Sequence, residues 1–116
     1  MSRRRVRIID DEPDMTLYLS LALEREGYDV ETCNAVQPDL LRAEAWRDIN
    51  VVICDLMMPN IAGSDVLAWL AAHAPHVKRV AWSGMPPELS DCPIDVYLQK
   101  PASTAEIIAA IGAVDG

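Results

Sequence analysis

Five residues that could do chemistry close short apolar runs. Asp10 and Asp11 follow VRII, Asp55 follows VVIC, Ser83 follows VAW, and Lys100 follows VYLQ. A carboxylate at the end of a buried-looking run is costly unless something pairs with it. Taken singly, such an acid is usually a turn residue or helix cap, the serine a turn, the lysine a solvated charge. Together they are three carboxylates, one hydroxyl and one ammonium. Clustered carboxylates repel one another and need a cation or protons. An oxygen-rich site suits Mg²⁺ (or Mn²⁺), which keeps several waters and takes one or two carboxylates plus a phosphate. A carboxylate beside such an ion can attack phosphorus and form an acyl phosphate. Metal, ammonium and hydroxyl would then neutralise and hydrogen-bond the oxygens of the transferring group.

For that chemistry the five must meet, and the elements between them decide whether they do. Val6, Ile8 and Ile9 make a short strand. In PDMTLYLSLALEREG, residues Met15, Tyr18, Leu19 and Ala22 share one helical face, and Gly27 supplies the C-cap. Tyr28 to Cys33 alternates as a second strand, and Gln37 to Arg47 is expected to be a helix with Pro38 in its first turn. Val51 to Cys54 is the third strand. Gly63 opens a turn before SDVLAWLAAHA, where Val66, Trp69, Leu70 and His73 share a face that Pro75 ends. Arg79 to Trp82 and Val96 to Leu98 are the last two strands. Ser103 begins a capping box with Glu106, ahead of a final helix striped by Ile107, Ile108 and Ile111.

Short, nearly continuous apolar strands alternating with helices imply a doubly wound, three-layer α/β fold with a parallel five-stranded sheet. In such sheets ligands bind beyond the carboxyl ends of the strands. All five chemical residues stand at those ends, which places them on one rim.

Composition narrows the function. The chain has 116 residues, 51% of them apolar, enough for a single core in one domain spanning 1–116. Eighteen acids against ten Lys and Arg give a net charge of −8, which argues against direct nucleic-acid binding. The basic cluster Arg3, Arg4, Arg5 and Arg7 is too short to reverse that. Three cysteines, Cys33, Cys54 and Cys92, without a C-x-x-C spacing fit reduced thiols in a cytoplasmic protein. No apolar run approaches the roughly 18 residues of a membrane span, and the N-terminus is not a signal peptide.

The stretches IIDDEPD, VVICDLMMPNIAG, VAWSG and VYLQKP, in this order, resemble the receiver domain of bacterial response regulators. The resemblance runs from about residue 5 to the C-terminus. It implies the flavodoxin-like strand order 2-1-3-4-5. It also implies roles. Asp55 is the phospho-accepting aspartate. Asp10 and Asp11 are the acidic pair that holds Mg²⁺, Asp11 directly and Asp10 through water, with the backbone carbonyl of Met57 as a further ligand. Ser83 is the switch hydroxyl, Lys100 pairs with the phosphoryl group, Pro101 follows a cis junction, and Tyr97 is the rotating aromatic.

Between Ser83 and Val96 the chain reads GMPPELSDCPID, shorter than the family's usual fourth helix and rich in proline. A shortened or missing fourth helix is expected, which puts the family's usual output surface in doubt. Trp82 is expected to fill sheet surface that a full helix would cover, or else to be an ordinary core residue. Met57 and Met85 flank the site with apolar side chains that cannot orient an attacking water, so slow self-dephosphorylation is expected.

The leading reading is a phospho-accepting signalling module, not an enzyme. Its donor would be a histidine kinase or histidine phosphotransfer protein, its output an unidentified protein. The alternative is a binding module of the same fold that no longer depends on phosphate. A small aspartyl-phosphate phosphatase is a distant third, because it would need a second acid where Met57 stands.

Overall fold

The run Val51-Val52-Ile53-Cys54-Asp55 is buried at every position, which only the middle of a sheet covered on both faces allows. The computed structural model describes residues 4–58, 61–84 and 93–115. Its strands are Arg5–Ile9 (β1), Asp29–Cys33 (β2), Val51–Asp55 (β3), Lys78–Ser83 (β4) and Val96–Gln99 (β5). They pair in parallel in the order β2-β1-β3-β4-β5. Among the described residues three α-helices accompany them: Pro13–Arg25 (α1), Gly63–His73 (α2) and Thr104–Asp115 (α3).

Side chains alternate across a strand, so the register sorts the core into two halves. Ile8, Ile53, Val80 and Val96 lie side by side across four strands. With Val6, Val51, Trp82 and Leu98 they meet Leu19 and Leu23 of α1 and Ile107 and Ile111 of α3. The other face carries Ile9, Val52, Cys54 and Ala81 against Val66, Leu67 and Leu70 of α2. The parity that puts Ile8 and Ile53 on the α1/α3 face carries on to Asp10 and Asp55, just past the apolar rows.

Local signals read from the sequence hold at several ends. Pro13 opens α1, and Gly27 follows it with φ +91°, where only glycine is unstrained. The N–H of Gly27 reaches the Glu24 carbonyl and that of Tyr28 reaches Leu23, closing the helix. At α3 the Ser103 Oγ accepts from the Glu106 N–H while the Glu106 carboxylate accepts from the Ser103 N–H, the reciprocal box.

Two expectations are corrected. Residues 37–47 do not form one helix. They form two 3-10 turns, Pro38–Leu40 and Ala43–Trp46. Trp46 is fully buried, and its indole N–H takes the Leu40 carbonyl. Arg7 of β1 stacks on Trp46, 4.5 Å from the ring centroid, and donates 2.9 Å to the Ala45 carbonyl. Its guanidinium also pairs with Glu31 at 2.8 Å. A buried arginine and a tryptophan thus pin a compact connection where a helix was expected. In α1, the buried side is Thr16, Leu19, Ser20, Ala22 and Leu23, while Tyr18 is exposed and hydrogen-bonds the Ala102 carbonyl. Of the two readings of Trp82, the ordinary core residue holds: it is fully buried on the α1/α3 face. The connection from Met85 to Cys92, on which the expectation of a shortened or missing fourth helix falls, lies outside the described residues.

Candidate functional site

β1, β3 and β4 end within one residue of each other in register, which brings Asp10, Asp55 and Ser83 to one rim. Lys100, just past β5, reaches across it. Its ammonium lies 2.9 Å from Asp10 Oδ2, 3.2 Å from Asp55 Oδ2 and 3.9 Å from Glu12 Oε1. Asp10 is fully buried and Asp55 is 2% exposed, so these pairs are screened little by solvent. The Lys100-Pro101 peptide is cis.

The Asp10 and Asp55 carboxylates are each held by more than one donor. Asp10 Oδ1 accepts the Glu12 N–H at 2.9 Å, and its Oδ2 accepts the Trp82 indole N–H at 3.0 Å as well as Lys100. Asn34 anchors the same residue from β2's end, donating to the Asp10 carbonyl and to Thr16 Oγ1. Asp55 Oδ1 accepts the Met57 N–H at 2.9 Å. Asp11 is exposed, and oxygens of Asp10, Asp11 and Asp55 all lie within 4.8 Å of one another. A cavity of about 280 Å³ adjoins Asp11, bordered by Asn34, Gln37, Met58 and Ile61.

Burial pushes the Asp55 carboxyl above its usual range. The Met57 N–H pulls it back, the Asp10 charge pushes it further up, and Lys100 opposes both. Burial works against the Lys100 ammonium, but its bond to Asp10 and the charges of Asp10 and Asp55 outweigh it and hold the lysine above its usual value. The two shifts describe one cluster short of positive charge. An all-oxygen, three-carboxylate set of this size fits a small hard divalent cation.

Ser83 is buried, and its backbone carbonyl accepts both the Tyr97 hydroxyl at 3.0 Å and the Lys100 N–H at 2.8 Å. Tyr97 is half-buried against the α2 face. Met57 offers its backbone to Asp55, while its side chain is 70% exposed. Gly63 closes the loop: a Cβ there would lie 2.0 Å from the Asp55 backbone oxygen. Asp10, Asp11, Asp55 and Lys100 therefore meet as the sequence implied, with Met57, Ser83 and Tyr97 at the margin. Trp82, Asn34 and Glu12 were not anticipated as contacts. For Trp82 a signal existed, since it shares the parity of Asp10 and Asp55 once the strands are aligned.

Comparison with known proteins agrees with this geometry. The model of the response regulator receiver domain matches residues 6–112. The chain belongs to that family. It is 34% identical to the transcriptional regulatory protein KdpE of Mycobacterium tuberculosis over 112 residues, covering 93% of this chain and 49% of that protein. It is 29% identical to a putative transcriptional regulator of Haloferax volcanii, covering 88% of this chain and 18% of that protein. The chain thus spans about half or less of the length of these relatives. The chemotaxis protein CheY4 of Vibrio cholerae superposes with a TM-score of 0.86 at 19% identity, covering 97% of this chain and 99% of that one. The response regulator TrrA of Thermotoga maritima, in complex with Mg²⁺-BeF, gives 0.84 at 24% identity, covering 96% and 98%. A response regulator of Burkholderia pseudomallei with a phosphorylated aspartic acid and a calcium ion gives 0.79 at 27% identity, covering 92% and 65%. Among the described residues no helix is long and apolar enough to cross a membrane.

Proposed function

We propose that this receiver domain accepts a phosphoryl group on Asp55 from a histidine kinase or histidine phosphotransfer protein, and signals through a changed protein-binding surface. The observation that carries the reading is the buried Asp55 carboxylate, bridged by Lys100 to Asp10, with Asp11 open to solvent beside them. An Asp55 oxygen attacks phosphorus, the P–N bond of the phosphohistidine breaks, the imidazole leaves, and an acyl phosphate forms. Lys100 already lies 3.2 Å from the acceptor carboxylate and pairs with the arriving phosphoryl oxygens. The Met57 N–H holds the acceptor in place by its other oxygen. Asp11, Asp55 and the Met57 carbonyl would hold Mg²⁺ (or Mn²⁺), with Asp10 acting through water. Bound there, the ion supplies charge neutralisation for the phosphoryl oxygens. Ser83 and Tyr97, joined through the Ser83 carbonyl, are the elements that respond. In this role the protein is a phospho-acceptor rather than an enzyme acting on external substrates, and it works in the cytoplasm.

The test is amide chemical-shift mapping with Mg²⁺ and beryllofluoride. Saturable shifts around Asp55, Ser83 and Tyr97 are expected in the wild type and not in Asp55→Asn. Identical responses of the two proteins would reject the reading. One observation favours a second reading, partner binding without phosphate: the Tyr97 hydroxyl is already seated on the Ser83 carbonyl in the unmodified chain. Under that reading a captured output protein binds Asp55→Asn as tightly as the wild type.

A further inference from the structure

An indole N–H within the acidic cluster has no place in the chemistry described so far. Trp82 is fully buried, and its Nε1 donates 3.0 Å to Asp10 Oδ2. The Lys100 ammonium uses the same oxygen at 2.9 Å and also lies 5.4 Å from the centre of the Trp82 ring. Trp82 pairs in register with Asp55 on β3 and with Leu98 on β5, two residues before Lys100. It therefore stands at the crossing point of acceptor, acid and lysine. Its N–H is neutral and fixed by a ring locked in the core, whereas the lysine ammonium rides on a flexible stem.

That difference has a consequence when a phosphoryl group arrives. Lys100 must turn from Asp10 towards the new oxygens. A buried carboxylate oxygen stripped of its last donor is expensive, which would tether the lysine to Asp10. With the indole in place, Oδ2 keeps a donor after the lysine leaves. We propose that Trp82 is a positioning residue, whose indole N–H holds Asp10 and so frees Lys100 for the phosphoryl group. The proposal rests on phosphoryl acceptance by Asp55.

Two experiments on the whole chain test it. The first follows the ¹H–¹⁵N indole cross-peak of Trp82, assigned by triple-resonance correlations. A bond to a carboxylate moves that proton downfield, so Asp10→Ala should shift the Trp82 peak strongly and leave that of Trp69 in place. A Trp82 peak that ignores Asp10→Ala overturns the proposal, with no need for a Trp82 variant to fold. The second measures phosphorylation by acetyl phosphate with Mg²⁺ in the wild type, Trp82→Phe and Trp82→Leu. Losing one buried hydrogen bond to a charged group is expected to slow Trp82→Phe roughly tenfold or more. Its Mg²⁺ affinity should stay within about threefold, because Asp11 and Asp55 are untouched. Leu should be as slow as Phe, since both lack the N–H. A purely packing role predicts the opposite: Phe at wild-type rate and only Leu impaired. A wild type that shows the Asp10-dependent shift yet takes up no phosphoryl group overturns both phospho-acceptance and the lysine-release role, and leaves the indole–carboxylate bond as structure alone.

Discussion

Gly63→Ala is the most economical way to disturb the acceptor without touching its chemistry. The added Cβ would lie 2.0 Å from the Asp55 backbone oxygen and 2.8 Å from both the Asp55 carbonyl carbon and the Leu56 Cα. Contacts under 3.0 Å essentially never occur for a real Cβ, so the two backbones must part by about 1 Å. Nothing nearby is a flexible side-chain tip that could yield. All three are backbone atoms, two from the last residue of a buried central strand and one from the residue after it. Moving α2 away would stretch the 3.3 Å bond from the Gly63 N–H to the Leu56 carbonyl and loosen Val66 and Leu67 from the core. Overpacking of this kind costs about 1–3 kcal/mol, and a backbone-on-backbone clash belongs at the upper end. In urea a loss of about 3 kcal/mol lowers the midpoint by at least about 1 M. If the strand end moves instead, Asp55 shifts by a fraction of an ångström to 1 Å, enough to cost about 10²-fold in phosphoryl transfer. Gly112→Ala is the matched control. An added Cβ at this exposed site in α3 meets nothing within 4 Å, and the change should stabilise by roughly 0.5–1 kcal/mol with unchanged phosphorylation. Urea titration and acetyl phosphate kinetics read both. A Gly63→Ala protein with wild-type midpoint and wild-type rate would refute the close-approach argument.

Further outcomes are expected elsewhere in the site. Lys100→Met leaves two buried carboxylates without their shared cation and should destabilise by about 3–5 kcal/mol near neutral pH, by thermal or urea unfolding. Because Lys100 is held above its usual value of 10.5, its contribution is complete below that pH and is lost as pH rises through the raised value. Asp55 has the same sign in a lower pH window. Its carboxyl titrates above 3.8 in the folded chain, so the folded state binds the extra proton and wild-type stability falls as pH rises through that window. Asp55→Asn lacks this loss and should gain on the wild type between about pH 4 and neutrality; a gap that is flat with pH would refute the assignment. Once phosphorylated, the protein should lose the group slowly, because the exposed Met57 side chain cannot orient water by hydrogen bonding. A half-life of seconds in a phosphate-release assay would contradict that.

Much of the site was legible because its logic is one-dimensional. An apolar run that ends on an acid marks a strand's carboxyl end, and a parallel sheet lines those ends up. That was enough to gather Asp10, Asp11, Asp55 and Lys100. The capping box at Ser103 and the glycine after α1 are likewise local. What failed was tertiary. The segment from Gln37 to Arg47 has helix-forming residues and a well-placed proline, but Trp46 is drawn into the core and stapled by Arg7, a contact 39 residues away in sequence. Such an arginine, inside a strand that otherwise reads as apolar, carries no periodic signal of its partner. Tyr18 fits the apolar spacing of α1, yet its hydroxyl finds the Ala102 carbonyl at the helix flank and keeps the ring at the surface. For Trp82 the core position was legible, but its bond to Asp10 depends on strand alignment. Counting by twos from Val80 places it with Asp10 and Asp55, as the register shows.

The central claim is that Asp55 is a phospho-acceptor. Intact mass after incubation with Mg²⁺ and acetyl phosphate, on the wild type and on Asp55→Asn, tests it most directly. The account requires one added phosphoryl group on the wild type and none on the variant. Equal addition to both, or none to the wild type even with a phosphorylated histidine phosphotransfer protein as donor, would contradict it.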